Sequence, residues 1–369
     1  MRSWVRSEGM TAPDTRSKEG LTVAVTGAAG YIGSRLLGVL CSDDRVDRVL
    51  AFDVREPQNL PGKVVFDTVD VRNPHMEARL RGVDAVVHLA FVMNPIKDET
   101  SMRDVNVNGT RNLLRSAARA GVGKVIYTSS ATVYGAHPDN DLPLTERSPL
   151  RANLDFSYPA HKLEAEYVVS EVAEEFPETA LTVFRPAIVF GPHADNAWSH
   201  VLEQPVLILV TDCRPPMQFV HEEDVVRALA WAVGEDHPGT FNLAAPGWLD
   251  HEEVLEIVGR RTCELSEPLA YTTLQRLWNL GLAEAPAGLL HYLMYPWVVA
   301  TDKLQAEGFV AQHSNWEALR ATVARTSRYI RIGRSRLDRR AVRWGGVAGA
   351  GLAGAALATR VLTRDRTSA

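Results

Sequence analysis

Tyr158 and Lys162 stand four residues apart, the spacing that puts two side chains on one face of a helix. Pro159 suits a first helical position and holds Tyr158 extended just ahead of it. A phenol of pKa about 10 is a poor base near neutrality, but a neighbouring ammonium favours its phenolate. So paired, Tyr158 could take a proton from an alcohol or return one. The same spacing is common on ordinary helices, so its meaning comes from the neighbours. Those are the hydroxyls of Tyr127-Thr128-Ser129-Ser130-Ala131-Thr132-Val133-Tyr134-Gly135. Ser129 and Ser130 are adjacent, so only one of them faces the site, and the other satisfies backbone groups in a turn.

A second constellation concerns an anion. Thr26-Gly27-Ala28-Ala29-Gly30-Tyr31-Ile32-Gly33 closes the apolar run Leu21–Val25 and opens an amphipathic stretch. Strand, glycine turn and helix in that order suit a dinucleotide pyrophosphate. Gly27 lets the chain turn, Gly30 lets backbone approach phosphate, and Gly33 lets helix pack on strand. The helix start at Tyr31 and Ile32 offers unpaired N–H groups and positive dipole. Asp53 ends the next apolar segment, twenty residues after Gly33. A carboxylate there accepts hydrogen bonds from both ribose hydroxyls and repels a 2′-phosphate, which selects NAD over NADP. Arg55, two residues on, softens that preference.

The elements that must carry these residues alternate regularly. Strand-like runs are Leu21–Thr26, Val46–Asp53, Lys63–Phe66, Ala85–Leu89, Lys124–Ser129 and Ala180–Phe184. Helical stretches between them are Ile32–Cys41, Pro74–Arg81, Ser101–Ala120 and Tyr158–Phe176. The alternation predicts an α/β fold: a Rossmann-type doubly wound parallel sheet with a smaller C-terminal substrate lobe. The expected division is a disordered leader at 1–20 and an NAD-binding domain at 21–185, with 219–245 returning to it. A substrate lobe over 186–325 follows, then an Arg-rich and Ala/Gly-rich tail at 326–369.

Composition limits the alternatives. The 369 residues are 46% hydrophobic with a net charge of -5, enough for a large core and without a nucleic-acid footprint. Cys41, Cys213 and Cys263 are far apart, so neither a disulfide framework nor a cysteine metal site is expected. His88, His161 and His221 have no ligand partner at metal spacing and read as structural; no metal is expected. Residues 1–20 lack the apolar core of a signal peptide, and a cytoplasmic location is expected. The uncharged stretch Trp344–Thr359 lies between arginines and falls short of the roughly 20 apolar residues a span needs. A solvated tail, peripheral contact with an anionic membrane surface and a true span stay open for it.

The chain resembles the extended short-chain dehydrogenase/reductase family, in its NAD-dependent epimerase/dehydratase branch, over residues 21–325. The likeness rests on the glycine turn, Asp70-Val71, His88-Leu89-Ala90, Asn106-Val107-Asn108-Gly109-Thr110, Ser129–Gly135, Thr145-Glu146 and Tyr158 with Lys162. It continues through Phe184-Arg185-Pro186-Ala187-Ile188-Val189-Phe190-Gly191-Pro192, Phe219-Val220-His221 with Asp224, Gly239-Thr240-Phe241-Asn242-Leu243, and Lys303-Leu304 before Gly308-Phe309. The resemblance implies that Ser130, Tyr158 and Lys162 form a catalytic triad and that the cofactor is NAD. It places Asp70 at the adenine amino group with Val71 beside it, and Leu89 and Ala90 beside ribose and nicotinamide. Asn106 falls on the helix behind the site, Lys162 also grips the nicotinamide ribose, and Pro186 and Ile188 lie near the carboxamide. It further implies a homodimer through the helices containing Ser101–Ala120 and Tyr158–Phe176.

The sequence departs from the sugar-nucleotide pattern in one region. Where such members carry an arginine before the Phe-Val-His block, this chain has Met217 and Gln218, with Arg214 a few residues away. The segment Asp195–Met217 is also short for enclosing a nucleotide. A diphosphate without a bidentate partner is weakly held. The expected function is therefore hydride transfer at a hydroxyl-bearing carbon, by an epimerase, dehydratase or dehydrogenase. Its substrate is a nucleotide sugar or a hydroxysteroid-like lipophilic alcohol. A non-catalytic NAD-binding regulator is the alternative of another class.

Overall fold

The computed structural model describes residues 20–57, 60–332 and 335–339. The expected leader, apart from Gly20, and the stretch Trp344–Thr359 lie outside them. In chain order the elements are β1 (Leu21–Thr26), α1 (Tyr31–Ser42), β2 (Val46–Asp53), β3 (Val64–Thr68), α2 (Met76–Arg79), β4 (Ala85–His88), α3 (Glu99–Arg103) and α4 (Gly109–Arg119). There follow β5 (Lys124–Thr128), α5 (Ser157–Glu175), β6 (Ala180–Pro186), β7 (Ile188–Phe190), α6 (Ala197–Leu202), β8 (Val206–Val210), β9 (Phe219–His221), α7 (Glu222–Gly234) and β10 (Gly239–Leu243). Beyond these lie α8 (His251–Val258), β11 (Arg261–Leu265) and a helix over Asn315–Thr326.

A seven-stranded sheet runs β3-β2-β1-β4-β5-β6-β10, every pairing parallel. This is the doubly wound α/β arrangement that the alternating runs predict. Its strands are short and β-branched because both faces are covered. Val23, Val25, Val87 and Ile126 pack on one side with Leu36, Leu37 and Leu40 of α1 and Leu229 and Val233 of α7. Ala24, Val86, Val125 and Tyr127 pack on the other with Leu113 and Leu114 of α4 and Val168, Val169 and Val172 of α5. Chain order reverses between β1 and β4, and a ligand crevice opens beyond the carboxyl ends of strands at such a switch. A separate apolar cluster including Tyr134, Phe190, Phe219, Tyr292, Trp297 and Leu319 unites the later segments with the loop after β5.

Three elements differ from the sequence reading. The helix expected over Ser101–Ala120 is α3, a π-helical stretch at Asp104–Asn108, and α4. There Asn106 turns inward, and Gly109 comes so close to the Val71 side chain, between β3 and α2, that a Cβ would lie 2.6 Å from Val71 Cγ2. The helix expected over Pro74–Arg81 shrinks to Met76–Arg79. The Asn73 side chain forms a turn with the His75 N–H at 2.8 Å, and Gly82 ends the segment at φ +76°. The expected tail begins instead with a hairpin, Tyr329–Ile332 against Ser335–Asp338. Arg331 anchors it, donating to Glu203 at 2.9 Å and to Glu284 at 3.2 Å. Among the described residues no helix is long and apolar enough to cross a membrane.

The glycine turn shows why two of its positions tolerate no side chain. Gly27 has φ +70°, and a Cβ there would lie 2.7 Å from the Ala90 backbone nitrogen. A Cβ on Gly33 would lie 2.2 Å from Gly27 O. Replacing Gly33 with alanine must push α1 off the turn, so we expect Gly33→Ala to lose about 1–3 kcal/mol of stability and most NAD affinity. Denaturant unfolding with an NAD titration checks this; wild-type values for both would refute the close-approach argument.

Candidate active site

The carboxyl ends of β1, β2, β4 and β5 collect the predicted residues. Gly30 is the N-cap of α1, with no side chain capping the helix, so the first N–H groups, those of Tyr31 and Ile32 included, face outward unspent. A Cβ on Gly30 would meet only Gly27 O within 4 Å, so its outer side is open to a ligand. Asp53 is buried at the end of β2, and its carboxylate accepts from Ala29 N at 2.9 Å and Arg55 N at 3.0 Å. It therefore ties the second strand to the glycine turn. Each oxygen keeps lone-pair capacity for ribose hydroxyls.

Asp70 is held by Arg72 through 2.6 Å and 3.0 Å contacts. That hydrogen bonding lowers its carboxyl pKa below the ordinary value. Val71 is buried, and its carbonyl accepts from Asn112 at 2.7 Å. Leu89 and Ala90 lie against Gly27, with Ala90 N donating to Thr26 Oγ1 at 3.3 Å. Asn106 is fully buried; its carboxamide accepts from Val92 N at 2.7 Å and donates to Val92 O at 3.0 Å. Its side chain thus pins the loop after β4. Pro186 and Ile188 are buried where β6 passes into β7.

At the end of β5 the two serines part. Ser129 Oγ donates to Glu166 Oε1 at 2.5 Å. Ser130 Oγ accepts from Thr132 N at 3.2 Å and from Thr132 Oγ1 at 2.9 Å. Its own proton is thereby left for another partner, and the hydroxyl lies close enough to the Tyr158 phenol to hold the phenol pKa down against burial. Tyr158 meets the Phe91 ring edge-on at 5.8 Å. Lys162 sits over that same ring, 3.6 Å from its centroid, and donates to Thr128 O at 2.7 Å. Tyr158 and Lys162 therefore converge on Phe91, with Ser130 beside the phenol.

The electrostatics correct one expectation. An ammonium drawing Tyr158 toward phenolate is not what dominates here. Burial pushes the phenol up to about 12, and the Ser130 hydrogen bond opposes it. Burial pushes the Lys162 amine down to about 7, against the attraction of Glu166. Desolvation outweighs the pairing because both groups are packed against Phe91 and the strand ends.

The sequence reading passed over Phe91, Thr132 and the acid that organises the helix. Glu166, one turn beyond Lys162, forms a buried bidentate pair with Arg185 of β6, at 2.9 Å and 2.5 Å. Arg185 also donates to Tyr134 Oη at 2.8 Å. The signal was available: an acid four residues after Lys162 shares its sheet-facing side. His88 bridges Thr26 at 2.8 Å and Thr110 at 2.9 Å, and His161 meets the Asn106 carboxamide at 3.4 Å. His221, Glu223 and His313 bring ligand atoms within 4.8 Å of one another, a cluster hidden in sequence because His313 is remote from the other two. The two imidazoles stack at 3.9 Å and 22°.

Residues 23–244 match the NAD dependent epimerase/dehydratase family. The chain belongs to that family. Its cofactor is NAD, and the donor set fits: an uncapped helix start, the Asp53 carboxylate, and Thr128 Oγ1, buried with no hydrogen-bond partner among the described residues. The chain is 30% identical over 247 residues to an uncharacterized protein of Mycobacterium tuberculosis (strain ATCC 25618 / H37Rv), covering 64% of this chain and 66% of that protein. It is 33% identical over 185 residues to the N-acetyl-alpha-D-glucosaminyl-diphospho-ditrans,octacis-undecaprenol 4-epimerase of Escherichia coli O157:H7, covering 49% and 53%. The chain thus spans just under two thirds of the first relative and about half of the second. The fold is shared with DesIV, a dTDP-glucose 4,6-dehydratase from Streptomyces venezuelae with NAD and TYD bound, at TM-score 0.67 and 23% identity over 83% of this chain and 97% of that one.

A base whose pKa falls on folding binds fewer protons in the native state, so its burial destabilises below the folded pKa. The penalty fades as pH climbs toward the unfolded value. With Lys162 at about 7 against an ordinary 10.5, wild type should gain on Lys162→Met by up to about 1.4 kcal/mol per pH unit above pH 7. Unfolding free energies of the two proteins from pH 6 to 9 measure this. A difference independent of pH would show that the amine is not desolvated.

Proposed function

We propose that this chain is an NAD-dependent enzyme that moves hydride to or from a carbon bearing a hydroxyl, with Tyr158 as acid/base. The observation that carries the reading is the meeting of the Tyr158 phenol and the Lys162 amine at one ring, Phe91, 5.8 Å and 3.6 Å from its centroid, with Ser130 beside the phenol. When bound, NAD supplies the hydride acceptor or donor.

The protein's part is orientation and proton transfer. Ser130 directs its proton toward the Tyr158 oxygen, so a substrate oxygen entering between them meets a donor and an acceptor about one hydrogen bond away. Tyr158 takes the alcohol proton when the substrate is oxidised and returns it in the reverse direction. Lys162, anchored on Thr128 O, keeps donors for the nicotinamide ribose and supplies positive charge near the phenol when protonated. Asp53 and the start of α1 hold the other half of the dinucleotide, and Asp70, Leu89, Ala90, Pro186 and Ile188 line its path.

The names of the relatives support a sugar linked to a diphosphate as substrate. A second reading, a lipophilic alcohol, is favoured by the region before β9. The Gln218 carboxamide is bound to Gly247 O at 2.9 Å, Val299 O at 3.0 Å and Val299 N at 2.8 Å. Arg214 is paired with Glu264 at 2.5 Å. Neither is left to grip a diphosphate. Oxidation of hydroxysteroids, read as NADH formation, with no epimerised, dehydrated or oxidised product from nucleotide sugars supports the lipophilic reading, and the opposite result removes it.

Tyr158→Phe should keep NAD affinity within a factor of about two while turnover falls roughly 10²- to 10⁴-fold. Equilibrium NAD titration beside an assay of both NADH and converted substrate decides it. Turnover at the wild-type level would remove the proton-transfer role, and NAD binding without turnover in the wild-type protein itself would favour a regulator.

A further inference from the structure

A cavity of about 300 Å³ lies in the C-terminal part of the fold, lined by Pro205, Gly259, Arg260, Arg261, Ser327 and Arg339 among others. It shares no lining residue with the NAD cleft. Three guanidinium groups border it, one from the turn after α8, one from β11 and one from the end of the hairpin.

Arg260 is the informative group. Its Nε donates to Leu202 O at 3.1 Å, and its Nη2 reaches Thr326 O at 3.2 Å and Tyr329 O at 3.4 Å. Those carbonyls hold the fork in place, so it cannot swing out to water. Its Nη1 is buried and makes no hydrogen bond among the described residues. A buried, unmade donor on a cation carries a desolvation penalty that no partner offsets. Arg339 compounds the cost, since burial and then the Arg339 charge depress the Arg260 pKa. Arg339 is itself held to this corner, its N–H on Arg328 O at 2.9 Å and its Nη1 on Ser327 O at 3.4 Å. Glu203, the acid nearest in charge, is already bound by Arg331 at 2.9 Å and Arg336 at 2.6 Å.

Like charges gathered around a guanidinium that cannot move away mark a place where an anion relieves a repulsion the fold otherwise carries. Guanidinium forks match phosphate oxygens bidentately, and a cavity of this size admits one phosphate group with a small substituent. We infer that this cavity binds a phosphate monoester, with the Arg261 and Arg339 guanidinium groups as its donors and the fixed charge of Arg260 behind them. The phosphate belongs either to a soluble metabolite or to a lipid headgroup; the chemistry at the arginines is shared.

The test uses the full chain saturated with NAD, so that the dinucleotide cleft does not report. Inorganic phosphate is titrated by calorimetry and by thermal unfolding against chloride at equal ionic strength. We expect phosphate-specific binding and a raised Tm, with affinity roughly tenfold weaker in Arg261→Gln/Arg339→Gln. NAD affinity of that double variant should match wild type, which shows that it folds; Arg260 is left intact because its carbonyl contacts are structural. Co-sedimentation with phosphatidic acid vesicles, against phosphatidylcholine, separates the sources. Retention lost in the double variant assigns a headgroup, and phosphate binding without vesicle selectivity assigns a soluble monoester. Phosphate acting no differently from chloride, or bound equally by the double variant, would overturn the site.

Discussion

The buried ion pair between Arg185 and Glu166 is the constraint on which the active-site geometry rests. It joins the end of β6 to the sheet-facing side of α5, one turn beyond Lys162, and through Ser129 it reaches the end of β5. A carboxylate and a guanidinium withdrawn from water must satisfy each other in full, because leaving either one alone costs about 3–5 kcal/mol. That requirement admits essentially one rotation and one height of α5 against the sheet. In that setting Tyr158 falls beside Ser130, and the Lys162 amine falls on the Thr128 carbonyl. Ser129 is consumed by the pair, which is why its neighbour becomes the hydroxyl of the site.

The same logic accounts for the dry interior around Lys162. Phe91 lies under both amine and phenol, and its loop is pinned by Asn106, whose inward turn is made possible by the π-helical stretch before α4. A pinned aromatic wall excludes water, raises the phenol pKa and lowers that of the amine. Both groups are therefore poised by their surroundings more than by each other. Stability is spent to keep them there.

Much of this was legible in the chain. β1 and β2 were bounded to the residue, because β-branched runs ending in a glycine turn or an acid have few alternatives, and α5 was placed within one residue. The glycine turn, Asp53, Ser130, Tyr158 and Lys162 were named from local pattern and resemblance, and the fold gathers them at the strand ends. What stayed hidden depends on contacts between distant segments. Glu166 and Arg185 look like ordinary helix and strand charges until the two elements touch. The interruption at Asp104–Asn108 follows from Asn106 meeting Val92, and the hairpin after residue 328 from Arg331 meeting Glu203. The arginine cavity likewise draws on four separate segments. Helical periodicity over Ser101–Ala120 carries no mark of a π turn, since the apolar face continues through it.

One measurement bears on the central claim most directly: a crystal structure of the NAD complex, read for where the nicotinamide ring lies relative to residues 130, 158 and 162. The account predicts the ring docked over the end of β5, with the Tyr158 hydroxyl and Ser130 Oγ turned toward its reactive carbon and Lys162 on its ribose. A ring seated elsewhere, or a Tyr158 hydroxyl turned away from it, would contradict the account.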